Sequence, residues 1–129
     1  MVEKITRFED LTVWQKAHQM VLHVYRTTGS FPTEERFGLS SQMRRAAVSV
    51  PANLAEGFKK RGVRDKLNFY NIAQGSLEEL RYYLILSKDL GYVSENWQMV
   101  ENADEIARML HGLIKSVAEG VSEPPKPSQ

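Results

Sequence analysis

The chain has 129 residues, 42% hydrophobic and 26% charged, a balance that excludes a wholly disordered or collagen-like polymer. It contains no cysteine, so disulfides, thiolate nucleophiles, iron–sulfur clusters and cysteine-rich zinc sites are excluded together. The net charge of +1 argues against indiscriminate coating of nucleic acid but leaves a localised site open. The length suits one domain, which at this size buries roughly two-thirds of its unfolded surface and needs no covalent staple. The first residues, MVEKITRFEDLTVW, lack the apolar centre of a signal peptide. No apolar run approaches the ~18 residues of a membrane span, so a soluble cytoplasmic protein is expected.

Four segments carry helical periodicity, separated by punctuation. The first is expected from about Leu11 to Thr28, with Asp10 as N-cap and Gly29 as stop. Val13, Ala17, Val21 and Val24 recur at three- and four-residue steps, and Trp14 and Tyr25 widen the stripe. The second follows Pro32 and Thr33, where Thr33 is placed to accept from first-turn amides and Glu34 and Glu35 favour the positive helix end. Its stripe is Leu39, Met43, Ala46, Val50 and Leu54, ending near Phe58. Pro51 interrupts it, removing one hydrogen bond and crowding the carbonyl four residues back, which predicts a kink or short break.

The third helix is expected from about Arg64 to Leu90, closed by Gly91. It carries two stripes: Tyr70, Ala73, Leu77, Leu80 and Leu84, and beside them Phe69, Ile72, Ser76, Tyr83, Leu86 and Leu90. The fourth runs from a Ser94 N-cap to about Ala118. Trp97, Val100, Ala103, Ala107, Leu110, Ile114 and Val117 mark its expected main face, with Met99, Ile106 and Leu113 alongside. Residues 121–129 are polar and proline-rich and are expected to be disordered. No segment alternates like a half-buried strand. Four long helices with short loops predict an all-α, up-down-up-down antiparallel four-helix bundle over residues 1–120. The third and fourth helices carry more apolar surface than a lone bundle buries, and self-association is the commonest cover for such a surplus.

Charge is segregated along the chain. Residues 1–43 hold five basic and five acidic side chains. Residues 44–66 hold seven basic ones (Arg44, Arg45, Lys59, Lys60, Arg61, Arg64 and Lys66) against Glu56 and Asp65, a local excess of +5. Residues 67–129 carry −4. The basic segment has two readings: a solvated helix end and loop, or a set of phosphate contacts that the overall charge hides.

Catalytic constellations are lacking. His18 and His23 stand about 140° apart round one helix and cannot converge on a metal, and His111 lies far along the chain. Neither the Glu-x-x-His pair of di-iron bundles nor the zinc-protease helix motif occurs. Gly57 to Gly62 has the outer spacing of a phosphate-binding loop, but Val63 and Arg64 stand where lysine and a hydroxyl residue are required. The doublets Glu78–Glu79 and Asp104–Glu105 each diverge by about 100° and form no acid/base pair. Ser40, Ser41, Ser49 and Ser76 have no nearby base in sequence. The expectation is no enzyme, no cofactor and no metal.

The stretch RRAAVSVPANLAEGFKKRG, Arg44 to Gly62, stands out for its small residues, which permit close backbone approach. Asn53 lies on or beside the core stripe, where an amide must find partners. Either it satisfies carbonyls freed at Pro51, or it fixes register or oligomer state, or it lines a polar channel. Glu56 has Arg44, Arg45 and Lys60 as candidate partners, Lys60 being one turn on.

Three motifs carry a resemblance: FEDLxVWQKA from Phe8, GLxxQxRRAAxSVPANLAEG from Gly38 and AQGSLEEL from Ala73. They look like the bacterial four-helix bundle proteins encoded in intervening sequences of 23S ribosomal RNA genes, and the resemblance spans about Phe8 to Gly120. That family is similar in fold to the accessory variability determinant of diversity-generating retroelements, a partner of their reverse transcriptase. The resemblance implies a bundle assembling into a homopentameric ring, with a non-enzymatic role on RNA or a ribonucleoprotein. Gln42, Arg44, Arg45, Asn53, Glu56 and Gly57 match its central motif, and Gly75, Ser76, Leu77 and Glu79 the later one. It assigns a catalytic role to none of them. The leading expectation is a pentamer whose repeated basic segments hold RNA or DNA phosphates; the alternative is an interaction scaffold such as a reverse transcriptase accessory subunit.

Overall fold

In the computed structural model of the chain, residues 4–120 are described. The expected disordered tail, 121–129, lies outside them. A short 3₁₀ turn, Phe8–Asp10, leads into α1 (Thr12–Thr28), and a second, Thr33–Glu35, precedes α2 (Leu39–Lys59). Then come α3 (Val63–Asp89) and α4 (Trp97–Ala118), with no strand among the described residues. Packing runs α1–α2, α2–α3, α3–α4 and back from α4 to α1, the cyclic order of a four-helix bundle. The α2–α3 pair is the most extensive, and only residues 60–62 join those two helices.

The core forms where the apolar stripes meet. Ala17 and Val24 of α1, Met43, Val50 and Leu54 of α2, Tyr70, Leu77 and Leu80 of α3, and Leu110 of α4 are all buried. On α3 the first expected stripe, Tyr70 to Leu84, is the buried one. On α4 the face is turned from the expectation. Met99, Ala103, Ile106, Leu110, Leu113 and Val117 are buried, whereas Trp97 is exposed and Val100, Ala107 and Ile114 are half-buried. Both candidate stripes were apolar enough to serve; packing against α1 and α3 selects the one with Met99, Ile106 and Leu113.

Helix α2 runs unbroken through Pro51, which is itself buried. The starts of three helices differ from their sequence signals. Asp10 ends the first 3₁₀ turn, and the N-cap of α1 is Leu11, without a side-chain cap. Thr33 opens a turn of its own, so it stands too early to cap α2. That task passes to Glu35, whose Oε1 accepts the Leu39 N–H at 3.0 Å. Ser94 likewise lies too early. Glu95 Oε1 accepts the N–H groups of Asn96 and Trp97 at 3.1 and 3.2 Å, and the Asn96 amide is spent on the Leu84 carbonyl at 2.6 Å. In each case extra residues of loop shift the helix past its nearest capping signal. Gly29 continues right-handed backbone, whereas Gly91 closes α3 at φ +78°.

Gly57 faces α3 directly. A Cβ there would stand 2.6 Å from Cε1 of Tyr70, whose side chain is fully buried. Gly57→Ala should therefore overpack the α2–α3 seam and destabilise by about 1–3 kcal/mol. Urea denaturation should show a lower midpoint at unchanged slope, and an unchanged midpoint would contradict the close approach.

Glu35 ties three segments together, since its Oε2 also accepts the Tyr92 hydroxyl at 2.6 Å. The Tyr92 hydrogen bond, seconded by the Leu39 N–H, holds the Glu35 carboxyl below the usual carboxylate value. A depressed folded value adds stability above the unfolded value and loses it as pH falls through the folded one. The stability difference between wild type and Glu35→Gln should accordingly be full at neutral pH and shrink on acidification. A difference independent of pH in chemical denaturation would refute this role for the ionised carboxylate.

Candidate functional site

The seven expected phosphate contacts do not form one patch. Arg44 and Arg45 sit in the first half of α2 and Lys59 at its end. At about 1.5 Å of rise per residue, Arg45 and Lys59 lie about 21 Å apart along the axis. Two basic groups result, one against α1 and one around the α2–α3 loop.

In the loop group, Lys59, Arg61 and Arg64 are exposed, and Lys60 is half-buried with its ammonium 5.3 Å from the centre of the Phe69 ring. Lys66 has a structural task. Its Nζ donates to the Phe58 and Gly57 carbonyls at 2.9 and 3.2 Å, satisfying the end of α2 where the helix dipole favours a cation. Arg61 and Arg64 therefore offer more to an external anion than Lys66 does.

The other group shapes a cleft. Arg44 reaches across to α1, where its Nε donates to Thr28 Oγ1 at 2.8 Å and its guanidinium lies 4.6 Å from the centre of the Tyr25 ring. Beside it the connector between α1 and α2 brings up Arg36 and Phe37, with the Arg36 guanidinium 5.3 Å from the Phe37 ring centre. Together with Arg45 they border a cleft of about 600 Å³ that has no acidic residue in its lining. Phe37 is 88% exposed. Sequence reasoning passed over Arg36 and Phe37. The available signal was an arginine beside an aromatic in a connector bounded by Pro32 and Gly38.

The small-residue motif resolves into a polar junction between α2 and α3. Asn53 Nδ2 donates to the Ser49 carbonyl at 2.8 Å and lies 3.0 Å from Ser49 Oγ, which also accepts the Ser76 hydroxyl at 2.7 Å. The carbonyl that loses its amide donor at Pro51 is that of Ala47, four residues back. Asn53 bonds the Ser49 carbonyl instead, within α2, and so leaves the proline gap unfilled; it reaches the seam only through Ser49. Glu56 and Gln42 are exposed, and among the described residues Glu56 makes no ion pair with Arg44, Arg45 or Lys60. A Cβ added to Gly75 would meet nothing within 4 Å, so no packing inside the protomer requires that glycine.

Several acids of the second half are engaged structurally. Arg81 bridges Asp104 of α4 at 2.8 Å and Glu78 at 3.1 Å, Glu79 accepts the Tyr83 hydroxyl, and Glu105 lies 3.5 Å from Lys16. His18 stacks on Trp14, and burial, with Arg26 adding to it, pushes the His23 imidazole below its usual value. Among the described residues no cluster of three His, Asp or Glu is placed to hold a metal, and no helix is long and apolar enough to cross a membrane. Beyond the core, α3 leaves Ile72, Tyr82, Ile85 and Leu90 exposed.

The sequence model of the 23S rRNA-intervening sequence protein family matches residues 9–112. No curated protein matches the chain. Among solved structures, the chain is similar to a protein of unknown function from the S23 ribosomal protein family of Bacteroides thetaiotaomicron. The two share 24% sequence identity and a TM-score of 0.73, over 82% of this chain and 97% of the other. At that identity the likeness speaks for the fold. The family match covers most of the chain, including the polar junction and both basic groups, and the chain belongs to the 23S rRNA-intervening sequence protein family.

Proposed function

We propose that the protein is a non-catalytic, homo-oligomeric bundle that binds RNA through its two basic groups. The observation that carries this reading is a set of unneutralised cations. Arg36, Arg44, Arg45, Lys59, Lys60, Arg61 and Arg64 form no ion pair among the described residues and stand in two groups, whereas Arg26, Arg108 and Lys115, which form none either, belong to neither group. Cations left without acidic partners raise the local potential and favour a polyanion. Their phosphate contacts position the polymer without reading its sequence.

Self-association is supported by the exposed apolar side chains of α3 together with Gly75, a helix-interior glycine that nothing within the protomer calls for. The resemblance implies a ring of five, in which each modest basic group would recur five times. The same α3 surface supports a second reading, a scaffold that docks a reverse transcriptase as its accessory subunit. Capture of such an enzyme that survives nuclease treatment would favour that reading over RNA binding.

Reversing the loop charges with Lys59→Glu, Lys60→Glu and Arg61→Glu should weaken RNA binding and flatten its salt dependence, by about 0.7 in log–log slope for each lost contact to a single strand. Unchanged affinity in the triple variant, or a flat salt response in the wild type, would overturn the electrostatic reading. Light scattering at micromolar concentration should return a multiple of the monomer mass, five in the ring; a clean monomer contradicts self-association.

A further inference from the structure

The geometry points to the cleft between α1, the connector and α2 as a seat for an unpaired nucleotide, with the base stacked on Phe37 and the flanking phosphates held by Arg36, Arg44 and Arg45. This rests on the RNA-binding reading and sharpens it to single-stranded polynucleotide. A lone exposed aromatic is unremarkable, but here it stands beside three guanidinium groups at a concave site without acidic lining. Bases in a duplex present their faces to one another, so an open aromatic face suits a base that has left its stack. Guanidinium groups suit the phosphates on either side, because their planar N–H fork matches the anion and their flat faces can rest on a ring at the same time.

The site is also held in shape. Arg44 is pinned by Thr28 Oγ1 and the Tyr25 ring, which orients its guanidinium before any ligand arrives. Glu35, next to Arg36 in the chain, is engaged by the Tyr92 hydroxyl and the Leu39 N–H. Those two bonds fix the connector and turn the Glu35 carboxylate toward Tyr92 and Leu39, and neither it nor Glu34 lines the cleft. The volume of about 600 Å³ is in the range of small-ligand sites, roughly 300–1,000 Å³, and accommodates a single nucleotide rather than a folded partner.

The test is fluorescence anisotropy on the full chain with a labelled RNA strand of about ten nucleotides, within the range that single-strand sites span. The same strand annealed to its complement supplies the duplex. Phe37→Ala should weaken single-strand binding by about ten-fold, the order expected from loss of one base–aromatic stack, and leave the duplex within about two-fold. Phe37→Trp should restore the single-strand affinity. Because Phe37 is exposed, thermal melts of both variants should match the wild type. Arg45→Ala should lower the single-strand salt slope by about 0.7.

A DNA strand of the same sequence separates deoxyribose from ribose as the source of the nucleotide, and a Phe37 effect on either supports the cleft. Single-strand affinity indifferent to Phe37→Ala, or an equal loss on the duplex, overturns it. The broader reading fails differently, when the wild type binds neither strand nor duplex at low salt. RNA binding that responds to the loop charge reversals but ignores Phe37 sinks the cleft alone.

Discussion

Gly57 lets the ring of Tyr70 rest on the backbone of α2, and the arrangement of the bundle follows from that approach. With α2 and α3 so close, residues 60–62 suffice to connect them, and Lys66 is left within reach of the last carbonyls of α2. Two turns earlier along α2, Ser49 accepts the Ser76 hydroxyl across the seam, and Asn53, one turn on from Ser49, donates to that same serine within α2. Apolar packing is non-directional and tolerates sliding; a buried hydroxyl or amide without its partner does not. The seam therefore combines steric and polar constraints on the same pair of helices. It also fixes which way α2 turns its remaining faces, and so where Arg44 and Arg45 stand.

The other end of the molecule depends on a carboxylate. Glu35 joins the connector to the start of α2 and to Tyr92 after α3, and Phe31 packs its ring against Tyr92 at 5.3 Å between centres. Gly38 participates because a Cβ there would stand 2.7 Å from Glu35 Oε1 and contest the cap. Such an anchor holds Arg36 and Phe37 beside the cleft without burying either. Rigid support with exposed tips is what recognition by a loop requires.

Apolar surplus is divided unequally between the last two helices. On α4, Val100, Ala107 and Ile114 are partly covered within the protomer, leaving Trp97 outside. On α3, Ile72, Tyr82, Ile85 and Leu90 remain open over much of the helix length. Both helices carried two readable stripes, so periodicity alone left their rotation undecided. Selection came from neighbours: Arg81 of α3 meets Asp104 of α4, and Asn96 donates to the Leu84 carbonyl, which together orient the two helices.

The sequence by itself determined the number of helices, their approximate spans and the first stripe of α3, because a 3.6-residue period and glycine or proline punctuation are local properties of the chain. It also determined the absence of thiol chemistry and the segregation of positive charge into residues 44–66. Tertiary structure decided what lies between residues distant in sequence. It chose Met99, Ile106 and Leu113 over Trp97, Val100 and Ile114 for the core, and moved the caps from Thr33 and Ser94 to Glu35 and Glu95. It also divided one basic run into two groups about 21 Å apart, since neighbours in sequence separate along a rigid helix by about 1.5 Å per residue. Arg36 and Phe37 joined Arg44 and Arg45 only because α1, its connector and α2 fold back on one another. A local pattern records what one helix can bury; which of its faces meets a partner is settled by the other three.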